Sequence, residues 1–298
     1  MVFELEITNA HKRDSHIVFE EDGHKYYIDG DDNYMSATTF IHKVFPEFDT
    51  DRIIASIKKR DTPKYRGMSA QQIKDLWEEN KNIAAIEGTR MHYNIELESN
   101  NQPVEDDSIE FKHYLKFRVD YPHLKPYRTE WTIYDKKYRI AGSIDMIYLD
   151  IRDGTYHIYD WKRTKQLRDS GFFDDDVGYP PLDHLPNTNL LHYNLQLNLY
   201  KHILEKNYGI KIKTLYLCRC HPDNKSYHLV KGMDLSTEVK EILAIRKEQV
   251  KQNIFDFPIN LIKKESTDNE KKTINEKDSV DYEKELVIPK GKCIIDDY

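Results

Sequence analysis

The sequence predicts an α/β (α+β) fold in which helices flank a central mixed β-sheet. The apolar residues of 69–98 recur at helical spacing, whereas residues 127–162 alternate as strands do. A helix and a strand follow after residue 189, so the order is helix, strands, helix, strand. The 298 residues suffice for one large core or two small domains, and one domain with an N-terminal elaboration fits this order best.

Several helix boundaries are marked by capping residues. Residues 16–45 predict two or three short strands with Asp/Gly turns, and then a helix that begins near Ser36. Ser69 is a suitable N-cap for the long helix of 69–98. The periodic apolar residues of that helix are Ile73, Leu76, Trp77, Ala84, Met91 and Ile95. A second helix over 106–122 begins with acidic residues and ends at Pro122.

The strand-rich segment 127–162 contains the turns "DKK" and "RDGT", which predict an antiparallel meander of three strands. A loop rich in Asp, Pro and Asn follows over 169–189. Beyond it we expect a helix closed by Gly209, a strand over 211–221 and a helix over 236–254.

Three regions follow from these elements: an N-terminal elaboration (1–68), a core (69–262) and a polar tail (263–298). The tail is composed largely of Lys, Glu, Asp, Asn, Ser and Thr, and cannot bury enough apolar surface to become ordered alone. We therefore expect it to be disordered, with "ELVIPKGKCIIDDY" as a candidate docking element.

The amino-acid composition of the chain excludes some classes of protein and favours others. A net charge of −7 argues against non-specific electrostatic binding of nucleic acid over the whole protein surface. Basic segments at 52–66 and 161–168 are nevertheless consistent with a local basic groove. Three cysteines provide no disulfide framework, which favours a reducing, intracellular compartment. The sequence contains neither an apolar run of membrane-spanning length nor the apolar block of a signal peptide, so no membrane partner is expected.

The stretch "IYDWKRTK" places an acid and a base around a tryptophan at the end of a predicted strand. Since side chains alternate between faces, Asp160 and Lys162 share one face and Trp161 occupies the other. A structural ion pair explains this pattern. A metal-bound carboxylate beside a lysine that faces a phosphodiester explains it equally well, and these eight residues alone do not decide between the two.

Three further groups of residues are chemically suggestive. Gly88, His92 and Glu96 lie at i, i+4 and i+8 along one helix face. Asp145 interrupts an apolar strand, on the predicted face of Ile147 and Leu149, and must be ion-paired, hydrogen-bonded or metal-bound. Gln196 and Tyr200 are one helical turn apart, as is also common on the polar edge of an amphipathic helix. Glu130, one strand before Asp145, is either a ligand or an ion-pair partner of Arg128 or Arg139, and the structural role is favoured.

The ordered set "GTRMHYNIE", "GSID", "DWK" and "QLNLY" resembles the RecB-type branch of the PD-(D/E)XK nuclease superfamily, a branch of stand-alone RecB-like and lambda-exonuclease-like enzymes. The resemblance implies a restriction-endonuclease-like core and a site that holds Mg²⁺ or Mn²⁺. The implied metal ligands are His92, Asp145, Asp160 and the backbone carbonyl of Trp161. Lys162 would orient or deprotonate the attacking water. The implied supporting or DNA-binding residues are Glu96, Arg163, Lys165, Gln196 and Tyr200.

The function implied by the resemblance is a metal-dependent deoxyribonuclease, chiefly an exonuclease on DNA ends or single strands in replication, repair or recombination. The alternatives are a catalytically silent binding or assembly module on the same fold, a structure-specific endonuclease, and an unrelated sugar-phosphate or nucleotide enzyme. The sequence has no glycine-rich phosphate loop and no helicase motif, so any motor or replication protein would be a separate partner. Its cysteines are too few and unsuitably placed for an iron–sulfur cluster, and none is expected.

Overall fold

A computed structural model describes residues 3–253. Its helices are α1 (Glu4–Thr8), α2 (Ala37–His42), α3 (Thr50–Lys59), α4 (Ala70–Ser99), α5 (Ile109–Asp120), α6 (Asn189–Ile203) and α7 (Ser236–Lys251). Its strands are β1 (Ile17–Glu20), β2 (Lys25–Ile28), β3 (Met35–Ser36), β4 (Leu124–Asp135), β5 (Ile140–Asp150), β6 (Thr155–Lys162), β7 (Ile212–Arg219) and β8 (His228–Lys231). The tail predicted over 263–298, with Cys293 and its candidate docking element, lies outside the described residues.

Six strands form the main sheet, and β1 and β2 form a separate hairpin. The strands β4, β5 and β6 make the predicted antiparallel meander, while β6 pairs with β7 and β5 with β3 in parallel. The mixed sheet with helices on both sides confirms the predicted fold class and is consistent with a restriction-endonuclease-like core. Strand β3 and helix α2 both lie N-terminal to residue 68. Strand β3 pairs with β5 of the main sheet, and α2 contributes to the hydrophobic core.

One edge of β5 has a short stretch that is not paired with another strand, and the site lies at this stretch. One edge of β5 pairs with β4 along its whole length. The other edge is shared, because β3 pairs with Ile140 and Ala141 while β6 pairs only from Met146 to Asp150. Residues 142–145 therefore lie in a gap between β3 and β6, which we call the notch.

Two helical layers pack on the sheet. Helices α2, α6 and α7 share the larger hydrophobic cluster, and α4 and α5 share the second. Trp161 belongs to the second cluster, where its ring meets Tyr114 and Phe117 edge-on at centroid distances of 5.2 Å. Both layers border the notch, so side chains from opposite sides of the sheet can meet there.

Side-chain N-caps account for most helix starts. Ser69 caps α4 with a full capping box, in which Gln72 accepts from the Ser69 backbone N–H at 2.7 Å. Gly209 ends the π-helical turn after α6 at φ +71°, a conformation that glycine adopts without strain. Helix α3 and strand β8 were not predicted. Within residues 3–253, no helix is both long and apolar enough to cross a bilayer.

Candidate active site

Asp160 and Lys162 share one face of β6, as the alternation predicts. Asp160 Oδ2 lies 2.7 Å from Lys162 Nζ, and the two side chains are only 3% and 7% exposed. Trp161 packs on the opposite face. The pair is thus buried, unlike a solvent-exposed ion pair, which contributes only about 0–1 kcal/mol to stability.

Three carboxylates form a row across neighbouring strands of the sheet. The pairs Thr129↔Met146 and Trp131↔Ile144 bracket Glu130 and Asp145, which therefore lie opposite each other on β4 and β5. Continuing the Met146↔Tyr159 register by one residue brings Asp160 of β6 level with Asp145. The predicted placement of Asp145 and Asp160 on adjacent antiparallel strands is confirmed.

The backbone is irregular at this row. Glu130 has φ +39°, which is uncommon for a residue with a side chain. Ile144 and Ile147 join the same hydrophobic cluster while Met146 joins the other, so the simple alternation that grouped Asp145 with Ile147 and Leu149 is interrupted. The Trp161 N–H donates to Asp145 Oδ2 at 2.9 Å. This bond joins β5 to β6 where their backbone pairing has stopped.

His92 enters the row from α4. Its Nδ1 lies 3.1 Å from Glu130 Oε1 and 3.5 Å from Asp145 Oδ2, and its Nε2 lies 2.9 Å from the Trp161 carbonyl oxygen. One ligand atom each from His92, Glu130 and Asp145 can be chosen so that all lie within 4.8 Å of one another. The resemblance implies that His92, Asp145 and Asp160 converge, and the structure brings His92 and Asp145 together. Asp160 is not part of this group of three.

The structure gives Glu130 different partners from the arginines expected from the sequence. Arg128 pairs with Asp14 at 2.8 Å, and Arg139 pairs with Asp31 at 2.7 Å. Glu130 accepts from Ser143 Oγ at 3.1 Å through one carboxylate oxygen and contacts His92 through the other. Glu130 is therefore part of the site.

The opposite helical layer contributes α6 and α2. Gln196 Nε2 donates to Tyr200 Oη at 2.8 Å and to Thr38 Oγ1 at 2.9 Å. Gly142 makes room for this layer, because a Cβ there would lie 2.8 Å from the Tyr200 ring. Burial, with added repulsion from nearby acids that include Asp160 and Glu130, raises the pKa of Tyr200 well above its usual value. The phenol therefore stays protonated and remains a hydrogen-bond donor.

A small cavity of about 20 Å³ adjoins Lys162, which is enough for about one water molecule. It is lined by Thr38, Ile41, His42, Lys162, His192, Tyr193 and Gln196. Lys162 Nζ also lies 4.5 Å from the centre of the Tyr193 ring. Thr38 was not predicted as a site residue.

The remaining predicted site residues lie around this centre. Thr129 Oγ1 donates to Glu96 Oε1 at 3.5 Å, which places Glu96 behind the row of acids. Lys165 pairs with Asp223 at 2.8 Å and is well exposed. Arg163 pairs with Glu110 at 2.6 Å, and both side chains are largely buried. A buried pair favours a structural role for Arg163 over the predicted phosphate contact.

His192, beside the cavity, makes stability depend on pH. Burial, with a smaller contribution from His42, lowers the pKa of His192 to about 3, so the folded chain holds the ring neutral. Below the ordinary pKa of about 6.5, the unfolded chain binds a proton that the folded chain does not. The free energy of unfolding therefore decreases as the pH is lowered. We expect His192→Gln to reduce this acid-side slope by up to about 1.4 kcal/mol per pH unit. Urea unfolding at pH 7.5 and pH 5 measures it, and an unchanged slope would contradict the burial argument.

A family model of the PD-(D/E)XK nuclease superfamily matches residues 39–265, well over half of the chain. The chain belongs to the PD-(D/E)XK nuclease superfamily. A solved structure entitled "Crystal structure of SSO0001" is similar at 14% identity over 74% of this chain and 78% of that one, with a TM-score of 0.32. An overlap this loose carries no information about function. Comparison with curated proteins yields no match.

Membership gives the site a chemical context. PD-(D/E)XK nucleases usually act with divalent metal ions on nucleic acid, and the donors here suit such an ion. Hard cations favour carboxylate and carbonyl oxygens, and these meet at the notch together with the His92 imidazole. Two ligands of one octahedral Mg²⁺, each about 2.1 Å away, lie about 3 Å apart. The 2.9 Å between His92 Nε2 and Trp161 O fits this spacing.

Proposed function

We propose that this chain is a divalent-metal-dependent deoxyribonuclease of the RecB-type branch, acting as an exonuclease on DNA ends or single strands. The observation that carries the proposal is the convergence of His92, Asp145 and the Trp161 carbonyl beside the buried Asp160–Lys162 pair. We assign His92, Asp145, Asp160 and the Trp161 carbonyl oxygen as the ligands of Mg²⁺ or Mn²⁺. The ion would polarise the scissile phosphoryl group and favour ionisation of the attacking water.

Lys162 has the main catalytic role among the chain's own groups. Its stem is buried, and Asp160 and the Tyr193 ring hold its amino group at the cavity. A fixed ammonium group there offsets the charge that develops on phosphoryl oxygens and can orient a water molecule, whereas deprotonation of that water requires the neutral amine form of Lys162. Gln196, bonded to both Thr38 and Tyr200, fixes the opposite wall. Tyr200 can donate to a phosphate oxygen because its phenol is protonated.

The insert over 169–189 supports a preference for DNA ends. It is anchored to the region after α2, where the Tyr179 N–H donates to Val44 O at 2.8 Å and Asn187 Nδ2 donates to Pro46 O at 3.1 Å. Asp175 of the insert also pairs with Arg52 of α3 at 2.7 Å. We propose that an insert held by these three contacts confines a strand that enters the notch. Labelled linear, single-stranded and circular DNA with Mg²⁺ or with EDTA tests this: cleavage of circles would instead support an endonuclease.

Exposed cations on α3 and the turn after it offer a path for the DNA backbone. Lys58, Lys59 and Arg60 are exposed at the end of α3. We expect Lys58→Ala with Lys59→Ala to weaken DNA binding and to reduce the slope of log K against log salt by about 0.9 for each phosphate group that the variant no longer neutralises. Lys231→Ala with Lys240→Ala removes the same charge from exposed positions on β8 and α7, and should leave the slope unchanged. Equal effects of the two pairs would rule out a specific path along α3.

A further inference from the structure

Both ring nitrogens of His92 face oxygen atoms. Nδ1 lies against the carboxylates of Glu130 at 3.1 Å and Asp145 at 3.5 Å, and Nε2 lies 2.9 Å from the Trp161 carbonyl. A neutral imidazole has a single N–H, so it can donate on one side only. On the other side a nitrogen lone pair would face oxygen lone pairs, which is unfavourable unless a cation binds there.

The partners differ in charge, and this decides where the proton lies. A hydrogen bond to a carboxylate is roughly twice as strong as one to a neutral carbonyl. The proton is therefore more stable on Nδ1, facing Glu130. The lone pair of Nε2 is then directed to the same region as the Trp161 carbonyl oxygen, and the two atoms are spaced as neighbouring ligands of one cation.

Glu130 is held in place for this contact. It lies opposite Asp145 in the sheet and adopts a left-handed backbone conformation, which costs about 1–3 kcal/mol and persists only where the surroundings impose it. Ser143 Oγ donates to its Oε2, so Oε1 is the oxygen presented to His92. A carboxylate fixed at both oxygens is suited to orienting a ring.

We propose that Glu130 is a positioning residue that holds the Nδ1–H tautomer of His92 and turns Nε2 toward the metal ion, without being a ligand itself. This inference rests on the proposed metal-dependent function. It excludes the alternative in which Nδ1, Glu130 and Asp145 together bind the ion. Carboxylates that orient metal-binding histidines typically contribute 10–100-fold to metal affinity.

Two substitutions of Glu130 distinguish the loss of its charge from the loss of its hydrogen-bond acceptor. The glutamine of Glu130→Gln can accept from His92 Nδ1–H through its carbonyl and donate to Ser143 Oγ, whereas Glu130→Ala leaves Nδ1–H without this acceptor. We expect Glu130→Ala to raise the Kd for Mn²⁺ by about 10–100-fold and Glu130→Gln to raise it distinctly less. Calorimetry on the full chain measures both. Glu87→Gln removes the same charge from a similarly exposed position on α4 and should leave the Kd unchanged.

The tautomer provides a readout that is independent of affinity. In the Mg²⁺-loaded chain with ¹⁵N-labelled histidine, the long-range ¹H–¹⁵N spectrum should show the proton of His92 on Nδ1. Ser143→Ala keeps the Glu130 charge but frees Oε2, and should raise the Kd less than Glu130→Ala does, which preserves the test if Glu130→Ala misfolds. A proton on Nε2, or equal losses in Glu130→Gln and Glu130→Ala, would overturn the inference alone. Failure of the unaltered chain to bind Mn²⁺ would overturn it together with the proposed function.

Discussion

Asp160→Asn is expected to abolish both DNA cleavage and most Mn²⁺ binding. The substitution replaces a proposed anionic ligand by a neutral amide of nearly the same shape, so the loss reflects charge and not volume. Titration calorimetry with Mn²⁺ and single-turnover cleavage of end-labelled DNA measure the two effects on the same preparation. Asp22→Asn, an exposed acid in the β1–β2 turn, is the matched control and should behave as the unaltered chain. A variant that keeps its Mn²⁺ affinity would remove Asp160 from the ligand set.

Because the Asp160–Lys162 pair is buried, we also expect Asp160→Asn to lower the stability of the protein. Removing the charge of Asp160 leaves the Lys162 ammonium, only 7% exposed, without its carboxylate partner. Breaking a buried ion pair in this way costs about 3–5 kcal/mol, whereas an exposed pair contributes about 0–1 kcal/mol. Urea unfolding should therefore show a clear loss of stability. A variant that is destabilised but still cleaves DNA would show that the pair is structural.

The features that the sequence predicted here are those fixed by short-range rules. Alternation along β6 placed Asp160 with Lys162 and Trp161 behind them, and capping chemistry placed the start of α4 at Ser69. These results need only the period of a strand and the geometry of a helix end.

The features that the sequence did not predict depend on pairings between distant segments. The role of Glu130 follows from its position opposite Asp145 and from φ +39°, and neither can be read from "RTEW". Thr38 reaches the site only because α2 packs against α6, which places it against Gln196, 158 residues away. Arg163 looked like a phosphate contact because its partner, Glu110, lies on α5, 53 residues earlier in the chain. The break in alternation at Asp145 likewise arises where β5 loses β6 as a neighbour.

Lys162→Ala is expected to separate chemistry from metal binding. Lysine is a cation and not a metal ligand, so the variant should bind Mn²⁺ nearly as the unaltered chain does. Cleavage should fall by about 10²-fold or more, because the variant loses an ammonium group that stabilises developing charge and positions the water. Because equal affinities give equal stabilisation, we expect Mn²⁺ to raise the free energy of unfolding of the variant and of the unaltered chain by similar amounts.

Lys162→Met provides the control for packing, since it keeps a long apolar stem at the Tyr193 ring and removes only the charge. Both variants should lose cleavage to a similar extent, and Lys162→Met should lose less stability. Lys162→Arg retains a positive charge but has a planar, larger head in a cavity of about 20 Å³, so we expect it to restore cleavage only in part. Single-turnover rates at saturating Mn²⁺ distinguish these cases, because saturation removes any difference in metal affinity. If Lys162→Ala cleaves DNA at the rate of the unaltered chain, Lys162 has no catalytic role, and the base must be sought among the other groups at the notch.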